Sequence, residues 1–130
     1  MTRSLAYVAH PLNAPTPEGM AANRLNGARW CAWLAKHCDI VPLAPWIYLS
    51  MCWTEEEGRE LGLELDKDTI LRCGFIVLVG PRVSSGMEIE VAFAKRVGVT
   101  VIDLTGYGCP TAPEGEMPEL VELVRAELAA

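Results

Sequence analysis

A buried strand followed directly by a helix is the strongest structural signal in this sequence. Residues 75–79 form an uninterrupted apolar run, and a helical pattern follows it up to residue 97. Shorter apolar runs elsewhere alternate with helical segments in the same way, at residues 5–9, 40–43 and 99–104. Such alternation predicts a parallel sheet with right-handed crossovers. We therefore expect residues 1–130 to form a single α/β domain, a Rossmann-like or flavodoxin-like three-layer fold with a parallel sheet of four to five strands.

The segments between the strands are predicted from their end signals. Thr16 and Pro17 indicate the start of a helix reaching about residue 37. Because Gly19 and Gly27 each cost about 1 kcal/mol in a helix, we expect it to start late or to be irregular in its early part. Residues 44–49 are interpreted as an apolar, aromatic loop. A capping box at residues 54–57 predicts a short helix ending near residue 61, and a further helix is expected through residues 69–71.

The C-terminal part is expected to contain a loop and an amphipathic helix. Glycine and proline are frequent over residues 106–116, which predicts a loop. From residue 117 onward the apolar side chains recur at helical spacing. The side chains expected to face the core are Leu120, Val121, Leu123, Val124 and Leu128.

Charge and cysteine content limit the partners and the compartment. Seventeen acidic against eleven basic residues give a net charge of −6, which argues against a nucleic-acid polymer but not against a single nucleotide. The five cysteines show neither CxxC nor zinc-ligand spacing and predict free, mostly buried thiols in a reducing cytoplasm. We recognise no signal peptide and no membrane-spanning run. We expect a soluble cytoplasmic protein without metal or cofactor.

Polar side chains should converge at the carboxyl edge of the predicted sheet, where open α/β folds bind ligands. The loop after residue 9, the segment before residue 75 and the loop at residues 84–86 meet there. Two carboxylates brought together from different segments and partly desolvated suit glycosyl transfer. The candidates are Tyr7, His10, Asn13, Asp66, Asp68, Arg82, Ser84, Ser85, Gly86, Glu88 and Glu90.

The segment from Ser84 to Ala94 resembles the nucleoside 2-deoxyribosyltransferase superfamily, which includes the 2'-deoxynucleoside 5'-phosphate N-hydrolases. The shared pattern is an apolar strand, then Ser-x-Gly ending at Gly86, then Glu90 four residues later and small residues after it. Residues 7–12 are similar to the first strand and sugar-side loop of that family. The resemblance implies that Glu90 is the nucleophile. Asp66, eight residues before Gly74, is then the second carboxylate, which positions Glu90 or passes a proton to the departing base.

The resemblance also implies a substrate class and an assembly. The substrate is a nucleoside or nucleoside 5'-monophosphate, whose N-glycosidic bond is cleaved or exchanged through a glycosyl-enzyme intermediate. The residues implied in binding it are Tyr7, His10 and Asn13 together with Ser84, Ser85, Gly86 and Arg82, of which the last four would hold a 5'-hydroxyl or 5'-phosphate. No metal or cofactor is implied. Family members commonly form dimers or larger rings, so a homo-oligomer is expected.

Two positions depart from the family, which usually has an acidic residue at Gly74 and a small residue at His10. These departures favour an alternative function, a non-catalytic nucleotide-binding sensor or regulatory module. A second alternative is a phosphoribohydrolase-like nucleotide hydrolase, although the segment from Gly80 to Val83 contains fewer glycines than that motif.

Structural roles remain open for most candidates. Glu90 also fits a helix-surface acid, Arg82 a solvated loop charge, and Ser84 and Ser85 cap or loop residues. Asp66 also fits a helix N-cap, with Asp68 as the competing acid. His10 is interpreted either as a hydrogen-bond donor to the substrate or as a packing partner of the loop around Trp46. Trp46 and Tyr48 fit either a wall for the base or the core.

Overall fold

The computed structural model describes residues 2–108 and 117–130. These residues form four strands and five helices in alternating order. The elements are β1 (Ser4–Ala9), α1 (Pro17–His37), β2 (Ile40–Leu43), α2 (Pro45–Cys52), α3 (Glu55–Leu71), β3 (Phe75–Leu78), α4 (Ser85–Val97), β4 (Thr100–Asp103) and α5 (Pro118–Ala129). Most of the loop predicted at residues 106–116 lies outside the described residues.

The four strands form one parallel sheet in the order β2-β1-β3-β4. This confirms the predicted α/β class, with four strands and a layer of helices on each face. Pro42 lies in the edge strand β2, where its missing N–H costs least. The chain leaves β1 toward β2 on one side and returns to β3 on the other. The carboxyl ends of β1 and β3 therefore form a switch point, where open α/β sheets bind ligands.

Alternation along β1 separates the two layers of core. Ala6 and Val8 face α1 and α5, whereas Tyr7 and Ala9 face α2, α3 and α4. On the first face Trp30 and Trp33 of α1 are fully buried, so both tryptophans belong to the core of this chain. The alternation places the Tyr7 side chain in the layer that contains α3 and α4.

Two helices differ from the sequence prediction. Residues 45–52 form the helix α2 instead of a loop. Pro45 is compatible with this helix because it occupies a first-turn position. The indole Nε1 of Trp46 donates a hydrogen bond to Val8 O at 2.8 Å, which fixes the helix on the sheet. Residues 55–71 form the single helix α3 instead of two short ones. Thr54 caps its start as predicted, accepting a hydrogen bond from Glu57 N. Tertiary packing overrides the local glycine signals in α3.

The remaining differences are smaller. Helix α1 begins at Pro17 without delay, because the Thr16 hydroxyl accepts a hydrogen bond from Gly19 N. In α5, Leu120 and Val124 are buried as predicted, but Leu123 is 38% exposed because it lies on the outer face of the helix. Cys38 and Cys73 are buried whereas Cys52 is exposed. In residues 2–108 and 117–130, the helices are all too short or too polar to cross a membrane.

Candidate active site

A cavity of about 560 Å³ opens at the carboxyl edge of the sheet, and it has the size of a small-molecule site. Its wall is contributed by the end of β1, by the loops that follow β1 and β3, and by four helices. All the residues predicted to act in catalysis or binding line it, namely Tyr7, His10, Asn13, Asp66, Arg82, Ser84, Ser85, Gly86 and Glu90. The structure therefore brings together residues that are up to 83 positions apart in the chain.

A buried tyrosine–glutamate pair lies at the base of this cavity. Tyr7 points from β1 toward α4, and its hydroxyl donates a hydrogen bond to Oε2 of Glu90. The capped start of α4 orients Glu90 inward, so that only 6% of its surface is exposed. Glu88, two residues earlier, lies on another side of the helix and is exposed. The helix-surface interpretation therefore applies to Glu88 and not to Glu90.

Asp66 joins this pair from α3. It is 7% exposed, and its Oδ1 has no hydrogen-bond partner among the described residues. The structure excludes an N-cap role, because Asp66 lies about three turns after the start of α3 and Thr54 caps that helix. Asp68, the competing acid, is exposed. Asp66 is thus a buried acid with one oxygen that lacks a hydrogen-bond partner among the described residues.

Burial and proximity shift the acids toward their protonated forms. Desolvation, reinforced by the charge of Asp66, raises the pKa of Glu90 to about 8, while the hydrogen bond from Tyr7 opposes that rise. Desolvation also raises the pKa of Asp66, against the effect of its neighbours Glu90 and Tyr7. The pKa of Tyr7 is raised well above its usual value by burial and by these two carboxylates. Two such acids in contact retain a shared proton in neutral solution.

The start of α4 forms another part of the wall. The sequence predicted a loop at residues 84–86, but Ser85 and Gly86 belong to the first turn of the helix. Ser84 is the N-cap, and its hydroxyl accepts a hydrogen bond from Met87 N at 3.3 Å. First-turn amides lack carbonyl partners within their helix, so those of Ser85 and Gly86 are available to an anion. Arg82 is exposed beside them.

His10 and Trp46 form a stacked pair in the cavity wall, with ring centroids 6.1 Å apart and an interplanar angle of 13°. Trp46 is 8% exposed and belongs to the core, which confirms one of its two interpretations, and it also lines the cavity. Tyr48 is 62% exposed and takes part in neither. His10 contacts Gly80 on its other side and is 5% exposed.

Several lining residues were missed by the sequence analysis, although their spacing is regular. Gly58, Gly62 and Asp66 follow one another at four-residue intervals on one face of α3, and all three line the cavity. A Cβ at Gly62 would meet nothing within 4 Å, whereas one at Gly58 would lie 3.0 Å from Cβ of Trp53. On α1, Met20 and Arg24 lie on the cavity face, and Arg24 contacts Ser50 Oγ at 3.5 Å. A small-residue face on an otherwise polar helix was the available signal.

Gly74, where the resembled family usually has an acid, does not belong to the site. It precedes β3 and therefore lies at the amino edge of the sheet, whereas the cavity lies beyond the carboxyl end of that strand. Four residues of strand separate the two edges by about 13 Å. Of the two departures from the family, only His10 lies in the cavity.

Fold and cavity together define a small parallel α/β protein with a buried pair of acids at its topological switch point. Residues 4–104 match the model of the family described as Domain of unknown function (DUF7768), and the chain belongs to that family. No curated protein matches the sequence. In the described ranges, 2–108 and 117–130, His, Cys, Asp and Glu side chains form no group of three or more that could hold a metal ion.

Proposed function

We propose that this protein cleaves or exchanges the N-glycosidic bond of a nucleoside or nucleoside 5'-monophosphate, with Glu90 as nucleophile. The observation that carries the proposal is the Glu90 carboxylate itself. It is buried, it accepts a hydrogen bond from Tyr7, and it lies beside Asp66 in a cavity of about 560 Å³. The resemblance to the nucleoside 2-deoxyribosyltransferase superfamily assigns the same roles to the same two carboxylates.

The reaction proceeds in two displacements. In the first, an oxygen of Glu90 forms a bond to the anomeric carbon C1', and the bond from C1' to the base nitrogen breaks. The base leaves with the electron pair of that bond and takes a proton from Asp66. In the second, water or another base attacks C1', the ester bond to Glu90 breaks, and the proton of the attacking group returns to Asp66. Hydrolysis and transfer differ only in the attacking group.

The shared proton suits this sequence. When Asp66 carries it, Glu90 is ionised and ready to attack, and the Tyr7 hydroxyl stabilises this form. Asp66 then holds the proton that the departing base needs. Its Oδ1, without a partner among the described residues, is available for that transfer.

The rest of the wall binds the substrate in this proposal. The first-turn amides of α4, with Ser84 and Arg82, hold a 5'-hydroxyl or 5'-phosphate. Tyr7, His10 and Asn13 lie on the side of the sugar. A net charge of −6 does not oppose a small anion when the donors act locally.

Base release measured by chromatography tests the proposal. Ribonucleosides, deoxyribonucleosides and their 5'-monophosphates are incubated with the protein, with and without a free acceptor base. Glu90→Gln should lower base release by roughly a thousandfold or more. Glu88→Gln is the matched control, because it changes an exposed glutamate in the same helix. A glycosyl adduct on Glu90, seen by mass spectrometry, would support the covalent step; undiminished release by Glu90→Gln would refute it.

A nucleotide-binding sensor is the second candidate, and the observation that favours it is His10. A buried imidazole stacked on Trp46 occupies a position that is small in the resembled family. Nucleotide binding in a thermal-shift assay, without base release from any substrate, would favour this function over catalysis.

Exposed apolar side chains on α1 and α2 support the homo-oligomer that the resemblance implies. Trp30, Trp33 and Trp46 are buried within one chain, but Leu25 on α1 and Tyr48 and Met51 on α2 are exposed apolar side chains. We expect these to contact a second copy. Sedimentation of the protein and of its Met51→Glu variant tests this: the variant should show a lower mass, and equal masses would exclude a role for this surface.

A further inference from the structure

The hydrogen bond made by His10 fixes which of its nitrogens carries the proton. His10 Nδ1 lies 2.6 Å from Pro11 O. A carbonyl oxygen only accepts hydrogen bonds, so Nδ1 must be the donor. Burial lowers the pKa of His10 and keeps the ring neutral. In a neutral imidazole with a proton on Nδ1, Nε2 is an acceptor. The structure thus replaces the substrate-donor role considered for His10 with an acceptor role.

The imidazole is held in place on several sides. One face of the ring stacks on Trp46. Trp46 is itself held by its hydrogen bond to Val8 O and by close packing on α1, where a Cβ at Gly27 would be 2.6 Å from Trp46 Cη2. On its Cδ2–Nε2 edge the ring lies against Gly80, whose φ of +104° favours glycine. A Cβ at Gly80 would lie 2.9 Å from Cδ2 and 3.0 Å from Nε2. This acceptor is therefore preorganised before any ligand binds.

Nothing in the described part of the chain donates a hydrogen bond to Nε2, although His10 lines the cavity. An acceptor that lines the cavity and has no partner in the described residues favours a ligand that supplies a donor. Phosphate oxygens are acceptors at neutral pH and do not meet this requirement. A hydroxyl does.

The sugar is the part of the substrate that lies within reach of His10. Tyr7 and His10 are three residues apart at the end of β1, so their Cα atoms are about 10 Å apart. Tyr7 contacts Glu90, and Glu90 must contact C1' for the proposed reaction to occur. The hydroxyls of the sugar lie within that distance of C1', so they can reach His10.

We propose that His10 Nε2 accepts a hydrogen bond from a sugar hydroxyl of the substrate and selects sugars that carry this hydroxyl. His10 is thus a specificity-determining residue, and the inference rests on the proposed function for its substrate class. It goes beyond that function because it predicts which sugars are preferred.

Calorimetric titration with a series of nucleosides tests the inference. The series contains a ribonucleoside and its 2'-deoxy, 3'-deoxy and 5'-deoxy analogues with the same base. The wild type should bind the parent about tenfold more tightly than one of these analogues. His10→Phe keeps an aromatic ring against Trp46 but removes the acceptor, so its affinities for the parent and that analogue should become equal. His10→Gln, whose amide oxygen accepts, should retain part of the preference.

Nitrogen-15 NMR of the wild type supplies a test that needs no variant. The Nε2 resonance should be that of an unprotonated nitrogen, and it should move when the parent nucleoside binds but not when the selected analogue binds. A preference that persists in His10→Phe, or a protonated Nε2 in the free protein, would overturn the inference.

The outcomes separate this inference from the proposed function. Base release with sugar selectivity that is independent of His10 would refute the inference and leave the function standing. Selective binding that depends on His10, without base release, would refute the catalytic function and support the inference. Failure of both this series and the corresponding 5'-monophosphates to bind would refute both.

Discussion

The Tyr7 hydroxyl and Asp66 act on Glu90 in opposite directions. The hydrogen bond from Tyr7 favours the ionised carboxylate, whereas burial and the charge of Asp66 favour the protonated acid. Tyr7→Phe keeps the ring in the core but removes the donor, so the pKa of Glu90 should rise. The ascending limb of kcat/KM against pH for base release should then move to higher pH.

Tyr48→Phe is the control for this comparison, because it removes the hydroxyl of an exposed tyrosine outside the cavity. Its pH profile should match that of the wild type. An unshifted profile for Tyr7→Phe would mean that Glu90 is not the group whose ionisation limits the reaction.

Single residues differ in how far the sequence predicts them. Glu90 was separated from Glu88 by helical periodicity and by its distance from Gly86, and its burial agrees with that choice. Only the resemblance, through the distance from Gly74, favoured Asp66 over Asp68, because the helix face that each occupies depends on where α3 begins. The acceptor role of His10 depends on a 2.6 Å contact with Pro11 O, which is set by the backbone conformation of a turn and has no sequence signature.

The helices also show how far the sequence predicts the structure. Capping at Thr16, Thr54 and Ser84 was visible or partly visible in the sequence and is confirmed by the hydrogen bonds of these side chains. The formation of α2 was not predicted, because it depends on a contact between Trp46 and Val8 O across 38 residues. Local patterns predict the ends of helices better than they predict contacts between distant elements.

Gly27 in α1 is required by packing rather than by backbone conformation. A Cβ there would lie 2.6 Å from Cη2 of Trp46, whose ring is held by Val8 O. Gly27→Ala gains about 1 kcal/mol of helix propensity, but overpacking costs about 1–3 kcal/mol. We expect a net loss of roughly 1 kcal/mol in the free energy of unfolding, measured by urea denaturation.

Gly62→Ala in α3 is the matched substitution for Gly27→Ala. A Cβ at Gly62 meets nothing within 4 Å, so only the gain in helix propensity applies. The free energy of unfolding should rise by roughly 1 kcal/mol. Stabilisation by both substitutions would contradict the packing role of Gly27.

Gly74 tests whether the amino edge of the sheet influences the site. Its N–H donates to Leu5 O and its carbonyl accepts from Thr100 N, and a Cβ there meets nothing within 4 Å. Gly74→Asp, which introduces the acid usual in the resembled family, should leave kcat/KM for base release within about twofold, because independent distant sites couple weakly. A large gain in activity would show that this edge matters for catalysis.

The whole molecule combines a predictable fold with a site that depends on long-range assembly. The strand and helix alternation was sufficient to predict a parallel sheet and the edge at which the polar residues meet. The cavity itself was not predictable, because residues of four helices, Gly58 and Gly62 of α3 among them, line it only once those helices are packed. Assembling this site also buries two acids, Asp66 and Glu90, beside each other, and this affects the stability of the fold.

This burial makes the stability of the molecule depend on pH. The pKa of Glu90 is about 8 in the folded protein against an ordinary value of 4.5, so folding favours the protonated form. Its contribution to stability is fully present below pH 4.5 and is lost as the pH rises through about 8. The raised pKa of Asp66 acts in the same direction. Between pH 5 and pH 9 the free energy of unfolding should fall by roughly 2–4 kcal/mol.

Urea denaturation at pH 5, 7 and 9 measures this dependence. Glu90→Gln keeps the shape of the side chain but cannot ionise, so its free energy of unfolding should fall much less over the same range. Glu88→Gln removes an exposed charge two residues away and should follow the wild type. If Glu90→Gln loses as much stability toward pH 9 as the wild type, the ionisation of Glu90 is not what destabilises the fold. The pH dependence of the free energy of unfolding would then have to come from other groups.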